Sequence, residues 1–524
     1  MKQNRRDFLV RSGCALSMMA LATQARHLGL MSAMAQSAFD EGSSFAPNDY
    51  RALVCVYLSG GNDGNNMVVP KHNSTTGGIS NYAAYTTARG TQGLALSQAQ
   101  LLSMNVPAIG NLDYGLHYNL GTMIGRTDVP DNNGNLGGNV RNAGIHDLWA
   151  SGKLAIVPNV GNLVAPMTRA QWQANSVRRP YQLFSHSDQT EQQQTSQSMT
   201  RAYTGWGGNI ADLRDASENP GALIPMISSI SGAQLFTLGK TTTPLTLPDG
   251  GTLLARALVL NGYDNTSDAV ANARRAALDG LRTVDLNRDV IAAASGITSE
   301  AVSASQALAA NPVEVTTQFP TTRLGRQLKQ VARLIKKRGS TDLKINRQIF
   351  FVSIDGFDTH QNQVSGVAQG QNALFIQLGQ ALRAFYDEMV AQGVSDGVTT
   401  FTISDFGRTL IPAGTGVDMV GSDHAWGNHA LVMGGAVKGG DFYGVNSSNG
   451  TSFPTLLANG PDDTDGGSGA RGRWIPTTSV DQYAATLARW YGVPAWSATT
   501  GNQMATVFPN LQNYPLKDLG FMNP

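Results

Sequence analysis

The chain has only two cysteines in 524 residues, Cys14 and Cys55. Cys14 falls in a segment that reads as a leader, so Cys55 stands alone in the rest and no internal disulfide can staple it. Burial of apolar surface has to hold the fold. Charge is also sparse: Asp, Glu, Lys and Arg make up 14% of residues and the net charge is +1. No basic stripe is present to follow a phosphodiester backbone, which argues against a nucleic-acid partner. No acidic tail argues for disorder. After the N-terminus no apolar run is long enough for a membrane span. No Gly-x-Ser-x-Gly turn follows a strand-like run, so a serine hydrolase of the carboxylester type lacks its usual signal.

Glycine is abundant, at 58 residues. Gly, Asn, Ser and Thr are spread through long connections, which suits a loop-rich secreted enzyme. The N-terminus carries Asn4-Arg5-Arg6-Asp7-Phe8-Leu9, a twin-arginine signature. A modestly apolar stretch follows from Cys14 to Ala22, and Ala33-Met34-Ala35 offers a small-residue cleavage site. Residues 1–35 are therefore expected to be a signal peptide. Residues 36–524 are expected in the periplasm or outside the cell, as one α/β domain. Twin-arginine export carries folded proteins, so the fold and any metal are expected to be acquired in the cytoplasm.

Three apolar runs end abruptly in polar groups. Ala52–Leu58 leads into Ser59-Gly60-Gly61-Asn62-Asp63-Gly64. Phe350–Ile354 leads into Asp355, Asp358 and His360. Val398–Ser404 leads into Asp405-Phe406-Gly407-Arg408. Asp423-His424 and His429 follow, so three of only eight histidines fall beside acids in this stretch. Buried strands that deliver acids and imidazoles to their C-terminal ends are how open α/β enzymes build sites. Asp and His together suit a divalent metal such as zinc or manganese, and an oxygen-rich set would suit calcium.

Helical patterns separate the strand-like runs. Thr321–Lys337 has Leu324, Leu328, Val331, Leu334 and Ile335 at helical spacing and feeds directly into the strand at Ile349. Asn372–Ala391 precedes the strand ending at Ser404, and Val480–Tyr491 is a late helix. Helix-to-strand alternation of this kind predicts a mostly parallel central sheet with helices on both faces. Residues 221–320 differ, with Ala-rich helical runs at Ser267–Val284 and Val290–Ala310. They are expected to form a partly helical, cap-like insertion. Between these regions lies Phe184-Ser185-His186-Ser187-Asp188. Asp188 and Glu191 have capping-box spacing, so a helix is expected to start there. A serine at such a start faces free backbone N–H groups, favourable for an anion.

These motifs resemble a widespread bacterial family of twin-arginine-exported proteins that carries only a "domain of unknown function" label. That family is distantly placed in the alkaline phosphatase and sulfatase superfamily. The resemblance runs over essentially the whole chain after the leader. It rests on Leu58-Ser-Gly-Gly-Asn-Asp-Gly64, Ser185-His186, Phe357-Asp-Thr-His360, Ser404-Asp-Phe-Gly-Arg-Thr409, Ser422-Asp-His424 and Gly434-Gly-Ala-Val-Lys-Gly-Gly440. It also rests on Asp481–Trp490 and Val507-Phe-Pro-Asn-Leu511. It implies one or two divalent cations above the strand ends. Asp63, Asp358, His360, Asp405, Asp423 and His424 would be ligands, with Asp355 an added candidate and His429 a competitor of His424. Ser185, or Ser187 by a shift of alignment, would be the nucleophile. His186 would be a proton donor and Arg408 a two-pronged ligand for an anionic oxygen.

The sequence departs from the superfamily pattern at Phe406, where many members have a histidine directly after the acid. His424, His429 or His186 would have to substitute. The implied activity is hydrolysis or transfer of phosphate or sulfate esters on a small-molecule or glycan substrate. The alternative is an inactive exported protein that uses the same fold to bind a glycan or a protein at the cell envelope.

Overall fold

The computed structural model describes residues 49–129, 142–258, 267–340, 343–366, 370–416, 418–499 and 501–524. The expected leader, with Arg5, Arg6 and Cys14, lies outside them. The strands in chain order are β1 (Arg51–Ser59), β2 (Val68–Pro70), β3 (Leu101–Val106), β4 (Leu112–His117), β5 (Leu154–Gly161) and β6 (Ile227–Ser229). They continue with β7 (Leu245–Thr246), β8 (Arg347–Asp355), β9 (Val398–Ser404), β10 (Asn428–Gly434) and β11 (Thr478–Ser479). Eight of them make the central sheet, in the order β11-β5-β10-β9-β1-β8-β6-β7. Only β10 runs antiparallel to its neighbours, β5 and β9. The remaining three form a separate small sheet, β2-β4-β3.

The expected mostly parallel sheet is present, and β1 shows why its residues form it. Ala52, Val54, Val56 and Leu58 pack into one core, while Leu53, Cys55 and Tyr57 pack into the other. Alternate side chains of a strand point to opposite faces, so a strand covered on both faces reads as one continuous apolar run. On the first face lie α5 (Arg323–Lys337) and α6 (Gly370–Ala391); on the second lie α2 (Trp206–Glu218) and α7 (Val480–Tyr491). α5 is capped by Thr322, whose side chain accepts from the Gly325 N–H, and ends in Lys336 and Lys337, which complement the helix dipole.

Two further helices come from the segment at 221–320, α3 (Ala269–Leu281) and α4 (Asp289–Ala309), and α1 (His186–Thr195) meets β1 through a Thr190–Tyr57 hydroxyl bond. Two expectations need correction here. The segment at 221–320 is not wholly an added cap: β6 pairs with β8 and carries β7, so its first part extends the central sheet. The helix near Asp188 starts earlier, at His186, with Ser185 as N-cap. Asp188 then lies within the first turn, where it accepts from the hydroxyls of Ser185 and Ser187.

Register brings three strand ends together. Ser59 lies opposite Asp355 across the β1–β8 pair, and Leu58 lies opposite Ser404 across the β1–β9 pair. The loops that leave this edge hold most of the residues singled out above.

Candidate functional site

Arg408 ties the loops to one another. Its guanidinium is fully buried. Nε donates to the Gly61 carbonyl at 2.9 Å and Nη1 to Ser422 at 2.8 Å. Nη2 donates to the carbonyls of Gly60 at 2.6 Å and Phe357 at 3.1 Å, and to the Asp358 carboxylate. The backbone approaches closely here: Gly60 has φ +111°, and a Cβ on it would lie 2.5 Å from the Asp358 nitrogen. The sequence suggested that Arg408 binds a substrate oxygen. Its donors instead point inward, which makes it a positioning residue for Asp358.

Each of three histidines is held through Nδ1. His186 Nδ1 is 2.7 Å from Asp405 Oδ2. His424 Nδ1 is 2.8 Å from the Phe184 carbonyl oxygen. His360 Nδ1 is 3.2 Å from Asp423 Oδ1. An imidazole whose Nδ1 faces an oxygen carries its proton there, so Nε2 keeps a lone pair. Phe184 sits at φ +69°, a strained conformation for a bulky residue, and it is this residue that presents its carbonyl to His424.

The three Nε2 atoms converge with Asp358. His186 Nε2 and His424 Nε2 are 3.1 Å apart. Asp358 Oδ1 is 3.5 Å from the first and 3.4 Å from the second. His360 Nε2 is 3.1 Å from both His424 Nε2 and Asp358 Oδ1. Two triangles of donor atoms therefore share one edge, His424–Asp358. Ligands of a tetrahedral zinc at ~2.0 Å are ~3.3 Å from one another. The spacing and the donor types fit such an ion, and lone pairs facing one another at this range repel unless a cation lies between them.

Burial pushes the Asp358 carboxyl up, but the hydrogen bond and charge of Arg408 outweigh burial and hold it below the usual carboxylate range. The hydrogen bond to Asp405 raises His186 above the ordinary histidine value. Burial lowers His424.

Other expected ligands are used differently. Asp63 is fully buried and paired with Arg89, and it also accepts from Gln363 and the Asn65 N–H. It is thus neutralised by protein groups, away from the histidines. Asp405 accepts from the Tyr57 hydroxyl at 2.5 Å and the Gly60 N–H at 3.0 Å as well as from His186, so it orients a ligand atom instead of offering one. Asp423 holds His360 and pairs with Arg471. Asp355 pairs with Arg323. His429 lies outside the group: burial drives it down to about 3, and its Nδ1 accepts from the Asn159 N–H. His186 takes the place left by Phe406, whose ring packs 4.7 Å from both His186 and His424.

Of the two serines, Ser187 lines the cleft beside His186, Asp358 and Asp405, a space of about 520 Å³. Ser185 occupies the N-cap position of α1 without a side-chain cap bond, and its hydroxyl donates to Asp188. Sequence reasoning missed Tyr57 and Phe184, since an aromatic in an apolar run and one in a loop carry no chemical signal.

Fold and site together define a class: an open α/β sheet protein with a histidine–aspartate cluster at the C-terminal ends of parallel strands. The chain belongs to the family described as "Protein of unknown function (DUF1501)", whose model matches residues 50–455. That span contains the whole cluster. No curated protein matches the chain. Among solved structures it is similar to the PsFucS1 sulfatase from Pseudoalteromonas sp., at 8% identity and a TM-score of 0.24 over 75% of this chain. The chain spans 64% of that protein's length.

Proposed function

We propose that this protein is an exported, divalent-metal-dependent hydrolase of phosphate or sulfate esters. The observation that carries the reading is the convergence of three imidazole lone pairs on one Asp358 oxygen. His186, His424 and Asp358 would hold the ion, with His360 beside His424 and Asp358. This nitrogen-rich set suits zinc, then manganese; calcium takes six to eight oxygens. When bound, such a cation supplies Lewis acidity toward an ester oxygen.

The chain's own groups do the rest. Asp405, Asp423 and the Phe184 carbonyl fix the imidazoles, and Arg408 fixes Asp358. Ser187 is the nucleophile, because its hydroxyl lies on the cleft wall and 3.2 Å from Asp188 Oδ2. Its oxygen attacks phosphorus or sulfur as its proton passes to Asp188. The bond to the ester oxygen breaks, and the alcohol leaves with that proton. Water then hydrolyses the seryl ester. Ser187→Ala should lower turnover on the order of 10³-fold, whereas Ser185→Ala should remove mainly a hydroxyl bond to Asp188. Steady-state rates on phosphate and sulfate esters with added zinc or manganese check this. Equal rates for Ser187→Ala and wild type would reject the serine.

One observation favours a second reading, a non-catalytic binding protein. Arg408, the arginine expected to bind the transferred group, is turned inward and engaged by protein carbonyls. Absence of turnover on every ester, with metal in place, would decide for it.

Export belongs to the same proposal. Arg5→Lys with Arg6→Lys should leave the protein in the cytoplasm, as read by fractionation and immunoblot. Unchanged periplasmic recovery would remove the twin-arginine assignment.

A further inference from the structure

The cleft beside the cluster is lined by two unlike sets of residues. One is His186, Asp358 and Asp405. The other is built from Ser231 and Gln234 after β6, Ser353 and Asp355 of β8, and Arg323 in the first turn of α5. Apart from the imidazole of His186, the one aromatic among the described lining residues is Tyr57, and its hydroxyl is engaged by Asp405 and Thr190. No aliphatic side chain larger than glycine joins the lining.

That composition is unusual. Small-molecule sites of this size are mostly apolar, with a few polar groups for orientation. An aryl or acyl group laid on hydroxyls and amides would strip their water and return no hydrogen bond. Hydroxyls on the ligand would return those bonds. The second set is suited to them. Ser231 and Ser353 share a hydroxyl–hydroxyl hydrogen bond of 2.5 Å, in which either can donate. Gln234 uses its amide nitrogen on the Ser231 carbonyl, which leaves its carbonyl oxygen to accept. Arg323 and Asp355 form an ion pair with both side chains more than half exposed, at 55% and 54%. Such a pair is weak in water, so neighbouring hydroxyls of a ligand can bridge it, giving to the carboxylate and taking from the guanidinium.

We infer that the alcohol portion of the ester is a hydroxylated, non-aromatic one, a sugar or similar polyol, read by Ser231, Gln234, Arg323, Ser353 and Asp355. The inference rests on the hydrolase reading for the position of the ester group, and adds the chemistry of the leaving alcohol.

The test uses full-length, zinc-loaded protein and four probes: glucose 6-sulfate, glucose 6-phosphate, phenyl sulfate and phenyl phosphate. Binding is measured by calorimetry on Ser187→Ala protein, and kcat/KM on wild type. For a given anion, the sugar ester should be preferred over the phenyl ester by about tenfold or more, the worth of one or two well-made hydrogen bonds. The sulfate and phosphate pairs separately report which anion the cluster takes. Gln234→Leu and Ser353→Ala should each shrink the sugar preference at least threefold, with metal content and melting temperature as controls for folding. Phenyl esters binding as well as the sugar esters would overturn the inference. So would a sugar preference untouched by both variants, or no binding of any probe. Sugar-selective binding without turnover would sustain the inference and reject the hydrolase reading.

Discussion

Asp358→Ala should reduce bound zinc or manganese from about one ion per chain to a trace, read by elemental analysis of protein purified without chelator. The reason is position. Asp358 Oδ1 is the one oxygen among the converging donors, and it lies on the edge that both donor triangles share. Removing it leaves only imidazoles, two of which rest on each other through His424. Chelation of the wild type should lower the melting temperature by about 5 °C or more, because an ion bound only by the folded state adds stability by mass action. The Ala variant should melt close to the chelated wild type and respond little to chelator. A metal-free wild type with a melting curve indifferent to added zinc would end the metal reading.

Arg408→Met should cost about 3–5 kcal/mol of stability in urea unfolding. The guanidinium satisfies four main-chain carbonyls and one carboxylate inside the protein. An apolar replacement leaves the carbonyls without their donor, each at about 1–3 kcal/mol before the loops relax, while the Asp358 carboxylate, nearly half exposed, turns to water. Arg408→Lys should recover little, since one ammonium cannot reach groups spread over a planar fork. Both variants should also bind metal poorly, because Asp358 loses its anchor. A loss under about 1 kcal/mol with metal retained would show that the loops hold without it.

The fold was the legible part. β1, β8 and β9 are buried on both faces, and α5 carries its core residues at helical spacing, so local pattern sufficed. β6 and β7 were not legible: three and two residues long, they carry no period, and pairing with β8 defines them. The site was legible where chemistry coincides with a strand end, as at Asp358 and His360. It was misread where a partner distant in sequence decides the role. Asp63 follows a strand just as Asp358 does, but Arg89 neutralises it. Asp405 looked like a ligand until Tyr57, a tyrosine inside an apolar run, came to share its carboxylate with His186. Capping-box spacing at Asp188 and Glu191 was a true local signal attached to the wrong residue, because Ser185 occupies the N-cap position.

The central place of β1 has a consequence for how the chain is made. It is the first strand of the sheet to leave the ribosome, yet both its neighbours, β8 and β9, come hundreds of residues later. Gly60 meets Asp405 across a separation of 345 residues. At ~5–20 residues per second that interval is about 20–70 s. For most of that time β1 has two unpaired edges, because β8 is its first partner to emerge. The sheet must close late and nearly all at once, a topology that folds slowly. For a protein we propose to leave the cytoplasm already folded, this waiting period, more than any step at the membrane, is where a holding chaperone would be needed.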